Sequence, residues 1–234
     1  LHVRSRRQRQ MCIRDSPYIA REGHRHLIIL LFLAWASFLM GAPWLSWLIF
    51  GISLFVVQFF RDPIRFLPDN DPTSVVSPAD GRIIAVERTG DPYRQGRESI
   101  KISIFMNVFN VHANSAPLTG TVENIFYFPG TFINASLDKA SSENERNAVL
   151  LKTDSEQEIT CVQVAGLIAR RILCYINQGD RMERGSRYGF IRFGSRVDLY
   201  LPPNAEIKVT IGDKVKAVQS LIAKIKDQDH EGTG

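Results

Sequence analysis

Residues 27–60 run for 34 consecutive positions without an Asp, Glu, Lys, Arg or His, and this stretch limits what the chain can become. A surface helix of a soluble domain carries a polar face, and this stretch offers none. A membrane-crossing helix needs about 20 apolar residues, so two full crossings with a turn would need more than about 40. The Gly41-Ala42-Pro43 break divides the run into halves of 14 and 17 residues. Two membrane arrangements fit: a single tilted or kinked span, or a shallow helical hairpin that enters and leaves on the same side. Trp35, Trp44 and Trp47 suit an interfacial depth. Arg21 and Arg25 flank one end and Arg61 and Arg65 the other, which favours a hairpin with both feet in the cytoplasm. The run is longer than the roughly 7–15-residue apolar region of a cleaved signal peptide. A hairpin buried in a soluble core is the remaining reading.

Charge is distributed unevenly around this run. Residues 1–26 hold seven Arg against Asp15 and Glu22, whereas residues 61–234 hold 22 basic and 22 acidic side chains. The whole net charge of +5 therefore comes from the N-terminal segment. A neutral main domain argues against nucleic acid as its partner. Residues 1–16 show no apolar period and no Met start and resemble translated adapter sequence, so the natural chain is expected to begin near Pro17. Cys12, Cys161 and Cys174 are too few and too scattered for a disulfide framework or a thiolate zinc site.

Residues 61–234 read as a β-rich domain. Gly81–Glu87, Ser99–Val111, Gly120–Phe128, 147–153 with 158–165, Tyr188–Phe193, Arg196–Leu201, Glu206–Ile211 and Lys216–Lys224 have strand character, separated by Gly, Pro and Asp turns. Residues 166–175 fit strand or helix. Only 135–142 and 143–146 read as helical. The expected fold is mainly β, a β-rich α+β chain with a sandwich or barrel-like core and an N-terminal hydrophobic helical hairpin. A weak echo links Asp80-Gly81-Arg82-Ile83 with Gly212-Asp213-Lys214-Val215, both turns leading into strands.

Chemistry-bearing residues are sparse. His230 lies in a polar tail, and His112 ends an apolar run; a lone His is more often structural than catalytic. No HExxH, Walker or GxSxG pattern is present, and no metal site is expected. Of the two Gly-Ser pairs, Gly185-Ser186 lies in a polar turn. Gly194-Ser195 interrupts the β-type run 190–202, where glycine marks a bulge or a close backbone approach.

Five stretches in order, following the apolar run, are together specific: Phe60-Arg61-Asp62-Pro63; Ser77-Pro78-Ala79-Asp80-Gly81; Asn107-Val108-Phe109-Asn110-Val111-His112; Asn134-Ala135 with Asn144-Glu145-Arg146-Asn147; and Arg192-Phe193-Gly194-Ser195-Arg196-Val197-Asp198. On these residues the chain resembles the short-form branch of the phosphatidylserine decarboxylase family over about residues 18–225. The resemblance implies a membrane enzyme that cuts its own chain between Gly194 and Ser195 and converts Ser195 into a covalent pyruvoyl cofactor. It also implies that Asp80 and His112 serve the cleavage. The chemistry is coherent: a serine hydroxyl is a weak nucleophile until a base takes its proton, and a carboxylate can orient the imidazole that does so. Attack of Ser195 Oγ on the Gly194 carbonyl gives an ester. β-Elimination leaves dehydroalanine, which hydrolyses to pyruvoyl and ammonia.

The activity so implied is decarboxylation of phosphatidylserine to phosphatidylethanolamine and carbon dioxide, with the apolar segment keeping the site at the lipid surface. The implied partners are phosphatidylserine, a membrane lipid surface and the large and small chains of the cleaved precursor, with a homo-oligomer left open. The implied location is the cell (inner) membrane, with the catalytic domain on the cytoplasmic face. In the long branch a second His stands three residues before the one matching His112; here that position is Phe109, which leaves open which group returns a proton to the product. Arg196 is expected either to meet a phosphate or to face solvent, and Arg146 and Asn147 either to lie near the site or at a solvated helix end. The competing readings are a membrane-tethered biotinyl/lipoyl-like β adaptor, which lacks the expected carrier lysine, and a pyruvoyl decarboxylase for a soluble amino acid, which the apolar segment disfavours.

Overall fold

The computed structural model describes residues 19–132, 134–136, 140–166, 172–191 and 195–226. Strand content of 41% against 20% helix makes the chain mainly β, as expected. Two compact units meet between Ile64 and Arg65.

The first unit is a helical hairpin. Helix α1 (Arg21–Leu39) and helix α2 (Pro43–Phe59) are separated by Gly41, whose φ of 75° suits a residue without Cβ. Pro43 opens α2 at the position where its missing N–H costs nothing. The two ends return to one place: Ala20 N–H donates to the Phe60 carbonyl at 2.6 Å, and Ile19 bridges Arg61. The Ser46 hydroxyl donates to the Ala34 carbonyl at 2.8 Å, tying the helices together. The two helices therefore run back on each other with adjoining ends. Large apolar side chains face outward on both helices, including Phe32, Trp35, Leu39, Met40, Trp44 and Trp47. Among the described residues no helix is long and apolar enough to cross a membrane.

The second unit is built on a curled eight-stranded sheet. Its strands are β2 (Gly81–Asp91), β3 (Arg97–Met106), β5 (Gly120–Phe128), β6 (Arg146–Thr153), β7 (Glu158–Val164), β9 (Arg181–Met182), β11 (Ser195–Leu201) and β13 (Lys214–Val215). Their order is β13-β2-β3-β11-β7-β6-β5-β9, and all neighbours are antiparallel. One small sheet orders β1 (Ser74–Val76), β14 (Leu221–Lys224) and β12 (Glu206–Ile207) as β1-β14-β12. The other orders β4 (Ala113–Ser115), β10 (Arg187–Ile191) and β8 (Ile172–Cys174) as β4-β10-β8.

The period of two along each strand puts alternate residues on opposite faces. The inner face carries Ile83, Ile102, Ile104, Met106, Val149, Leu151, Ile159, Val197 and Leu199 and forms the main core with residues of the small sheets. A second cluster on the other face joins Ala148, Leu150, Val162, Val164 and Tyr200. Strand β11 lies between β3 and β7 and is buried along its whole length. The two turn-and-strand units that resemble each other in sequence also lie side by side, a pairing their likeness did not imply: Lys214 faces Arg82, and Val215 faces Gly81.

Several sequence expectations need correction. The run expected to reach Val111 stops at Met106, because the Asn107 side chain accepts the Phe109 N–H at 2.9 Å and closes a turn. Of the helical stretches expected over 135–142 and 143–146, residues 137–139 lie outside the described residues, the described helix is one turn, α3 (Ala140–Glu143), and Arg146 already belongs to β6. The Asn134 side chain accepts the Ser136 N–H at 3.1 Å, a local bond that competes with helix. The strand expected over 206–211 pairs only at Glu206 and Ile207.

Candidate active site

Three neighbouring strands bring the expected residues to one end of the large sheet. Arg82 of β2 pairs with Phe105 of β3, and Phe105 pairs with Arg196 of β11. Asp80 immediately precedes β2. Ser195 opens β11 opposite Met106, the last residue of β3.

Ser195 is fully buried, and its Oγ has no hydrogen-bond partner among the described residues. Alternation places its side chain on the same face as Val197, toward the main core. A buried hydroxyl without a partner costs free energy, so its presence calls for an explanation. Ser186, by contrast, is half-buried in a turn whose N–H donates to the Glu183 carbonyl at 2.9 Å.

His112 is reached from β3 by the 107–110 turn, in which the Asn110 side chain accepts the Asn107 N–H at 2.9 Å. The imidazole is fully buried and stands 6.3 Å from the Phe190 ring, measured between centroids. The His112 carbonyl accepts the Ile191 N–H at 3.2 Å. Ile191 ends β10, and β11 begins at Ser195, so His112 is fastened to the chain just upstream of the serine. Gly194, the other half of the expected cleavage site, lies outside the described residues. Phe109 sits at the turn and is 63% exposed.

Asp80 is held on both carboxylate oxygens. Arg65 Nη2 donates to Oδ2 at 2.8 Å, Arg65 Nη1 pairs with Oδ1, and the Ala217 N–H donates to Oδ1 at 2.8 Å. Arg65 Nη1 also donates to the Ala217 carbonyl at 3.0 Å. The Arg65 side chain is only 8% exposed, so it is not the free positive flank of the apolar run that its sequence position suggested.

Arg196 corrects a second expectation. Its Nε lies 2.8 Å from Asp198 Oδ1, its Nη2 donates to Asp198 Oδ2 at 2.9 Å, and both side chains are 2% exposed. Its Nη1 reaches the Ala135 carbonyl at 3.3 Å. The guanidinium therefore neither faces solvent nor is open to a phosphate. Arg146 lies over the Phe128 ring at 4.6 Å, and its Nε donates to the Tyr93 hydroxyl at 3.1 Å.

A buried amide chain escaped the sequence reading. Asn147 Nδ2 donates to Gln163 Oε1 at 3.0 Å, and Gln163 Nε2 donates to Asn114 Oδ1 at 2.8 Å. Asn114 lies two residues past His112, and Gln163 faces Val197 across the β7–β11 ladder. The chain thus links β4, the strand that follows His112, to β7 beside β11 and on to β6. Gly189 makes room for it, since a Cβ there would stand 2.4 Å from Gln163 Nε2. Its signal in the sequence was the lone amide inside the apolar run Cys161-Val162-Gln163-Val164-Ala165. The nearby thiols are unsuited to compete as nucleophiles: burial pushes Cys161 up to about 12 and also raises Cys174. Among the described residues no group of three or more His, Cys, Asp or Glu could hold a metal ion.

Comparison with known proteins agrees with this arrangement. A family profile described as phosphatidylserine decarboxylase matches residues 52–223. The phosphatidylserine decarboxylase proenzyme of Ralstonia nicotianae is 55% identical over 212 residues, covering 89% of this chain and 96% of that protein. The proenzyme of the same name from Burkholderia pseudomallei is 52% identical over 212 residues, covering 91% and 97%. That from Cupriavidus metallidurans is 55% identical over 210 residues, covering 89% and 96%.

Proposed function

The chain belongs to the phosphatidylserine decarboxylase family, and from that premise we propose that it is a proenzyme whose cleavage between Gly194 and Ser195 creates its own pyruvoyl cofactor. The enzyme decarboxylates phosphatidylserine to phosphatidylethanolamine and carbon dioxide. The adaptor reading falls with the family match.

The observation that most supports this cleavage site is Ser195 itself, a fully buried serine that opens a central strand and whose Oγ finds no hydrogen-bond partner among the described residues. Cleavage there would leave β11 as the start of the small chain, paired with β3 and β7 of the large one, so the two chains stay together. In the cleavage His112 accepts the Ser195 hydroxyl proton, and Asp80 supplies the negative charge that orients and stabilises the imidazolium. The residues present fit a pyruvoyl group. It would arise from Ser195 in place and need no further cavity, and the adjoining wall of Met106 and Val197 is apolar. That group supplies an electron sink for loss of the substrate carboxylate. The His112 carbonyl is fastened to Ile191, just upstream of Ser195, and Phe109 carries no proton to give, which favours His112 as the group that returns a proton to the product carbon.

The hairpin is the membrane anchor in this reading. Its outward apolar side chains and adjoining ends support insertion from one side, with the catalytic unit on the cytoplasmic face of the inner membrane.

Intact mass of the protein purified in mild detergent tests the proposal. Cleavage after Gly194 should give a 40-residue small chain beginning with a blocked, ketone-bearing end and a 194-residue large chain. Ser195→Ala should abolish the pair, and Ser186→Ala should leave it. A full-length mass with no carbonyl in the unaltered protein would refute this reading.

A further inference from the structure

We infer that Arg65 is a positioning residue for self-cleavage, acting through Asp80; the inference rests on the proposed role of Asp80. A carboxylate offers about four lone-pair directions. Three are taken here: Oδ1 meets Arg65 Nη1 and the Ala217 N–H, and Oδ2 meets Arg65 Nη2. Among the described residues one acceptor direction on Oδ2 remains. The planar guanidinium fork sets both oxygens at once, so the plane of the carboxylate, and with it the direction of that last lone pair, is fixed by Arg65.

The same two side chains hold both polar groups of one peptide unit. Asp80 accepts from the Ala217 N–H, and Arg65 donates to the Ala217 carbonyl at 3.0 Å. Arg65 and Asp80 lie upstream of the cleavage point, whereas Ala217 lies in the segment that becomes the small chain. The clamp therefore registers Asp80 against the very segment that begins with Ser195.

Strain next to the clamp shows that the position is over-determined. Val218 has a φ of 70°, a conformation that β-branched residues rarely adopt. It is 2% exposed, and its N–H is held by the Ser77 carbonyl at 2.9 Å. Surrounding bonds impose this backbone, and the Arg65–Asp80 grip on the preceding residue is among them.

The test is the time course of precursor cleavage by the full chain, made by cell-free translation with lipid vesicles and followed by gel and mass. Arg65→Ala should slow cleavage by about 10- to 100-fold, the range for removing a hydrogen bond to a charged group. Arg65→Lys keeps the charge without the fork and should fall between the two. Asp80→Asn should be slow, and Arg65→Ala added to it should slow cleavage no further, because Arg65 acts through Asp80. Guanidinium ion at millimolar concentration should speed the Arg65→Ala precursor, while urea at the same concentration should not, a distinction that a merely structural role would not produce. Normal cleavage by Asp80→Asn would instead refute the role of Asp80. A slow Asp80→Asn beside a normal Arg65→Ala, or additive losses in the double variant, would overturn the positioning role alone. If Arg65→Ala does not fold, Arg65→Lys decides: cleavage at the unaltered rate overturns the requirement for the fork.

Discussion

Replacing Arg196 with Met should destabilise the protein severely, because it removes the buried cation that holds both oxygens of the Asp198 carboxylate inside the sheet. Both partners are 2% exposed and meet at 2.8 and 2.9 Å through two guanidinium nitrogens and two carboxylate oxygens. With charge centres about 4 Å apart and an effective dielectric near 20, the attraction is about 4 kcal/mol. Removing one member of a buried pair typically costs about 3–5 kcal/mol, so the two estimates agree. For a chain of this size each kcal/mol lowers the melting temperature by about 2–4 °C, which predicts a loss of about 6–20 °C. The assay is thermal unfolding in mild detergent, in a Ser195→Ala background so that one uncleaved chain is followed. The second half of the prediction is sharper. Arg196→Met combined with Asp198→Leu removes both charges and should recover most of the loss, since apolar replacements of a buried pair are often neutral or stabilising. A melting shift under about 2 °C for Arg196→Met, or a double variant no better than the single one, would refute the reasoning. Either result would mean that water or another group reaches the Asp198 carboxylate.

Two further outcomes follow from the same geometry. Gly189→Ala places a Cβ 2.4 Å from Gln163 Nε2 and 2.6 Å from the Leu173 carbonyl. Overpacking of this kind costs about 1–3 kcal/mol, and a broken Asn114–Gln163 bond adds a similar amount, so the precursor should melt lower and cleave more slowly; normal melting would show that the amide chain can shift aside. Cys161 is pushed up to about 12 by burial, so its thiol should resist iodoacetamide at mildly alkaline pH in the folded protein and react once unfolded, as read by peptide mass. Its raised value contributes stability that is complete below the ordinary thiol range near 9 and is lost as pH climbs toward 12, because the unfolded chain gives up the proton first. Cys161→Ala should flatten that alkaline decline.

Local chemistry made much of this protein readable. The uncharged run with its Gly-Ala-Pro break specified two apolar helices and their turn. Alternating β-type runs marked most strands of the large sheet, and β5 coincides with its expected limits. Ser195, His112 and Asp80 are proposed for the site only through the family resemblance carried by the five ordered stretches, since a lone His and a Gly-Ser pair say little by themselves. The misreadings arose where a side chain bonded its own backbone, as Asn107 does at the end of β3 and Asn134 does ahead of α3. Such bonds are worth about as much as a single ladder bond, so apolar periodicity does not reveal which one forms.

The sequence by itself determined most element types and the two apolar helices with their turn, because each depends on neighbours a few positions away, and its ordered motifs pointed to the family. Tertiary structure alone decided what the charges do. Arg65 reads as a membrane-flanking cation but is the partner of Asp80 and Ala217, the latter 152 positions away. Arg196 reads as a candidate phosphate contact but is sealed against Asp198, and Gln163 gains its meaning only where β7 packs beside β11 and under Gly189. Burial and pairing of a charge depend on which strands become neighbours. In an antiparallel sheet that choice is made by contacts across the whole chain, which no local pattern encodes.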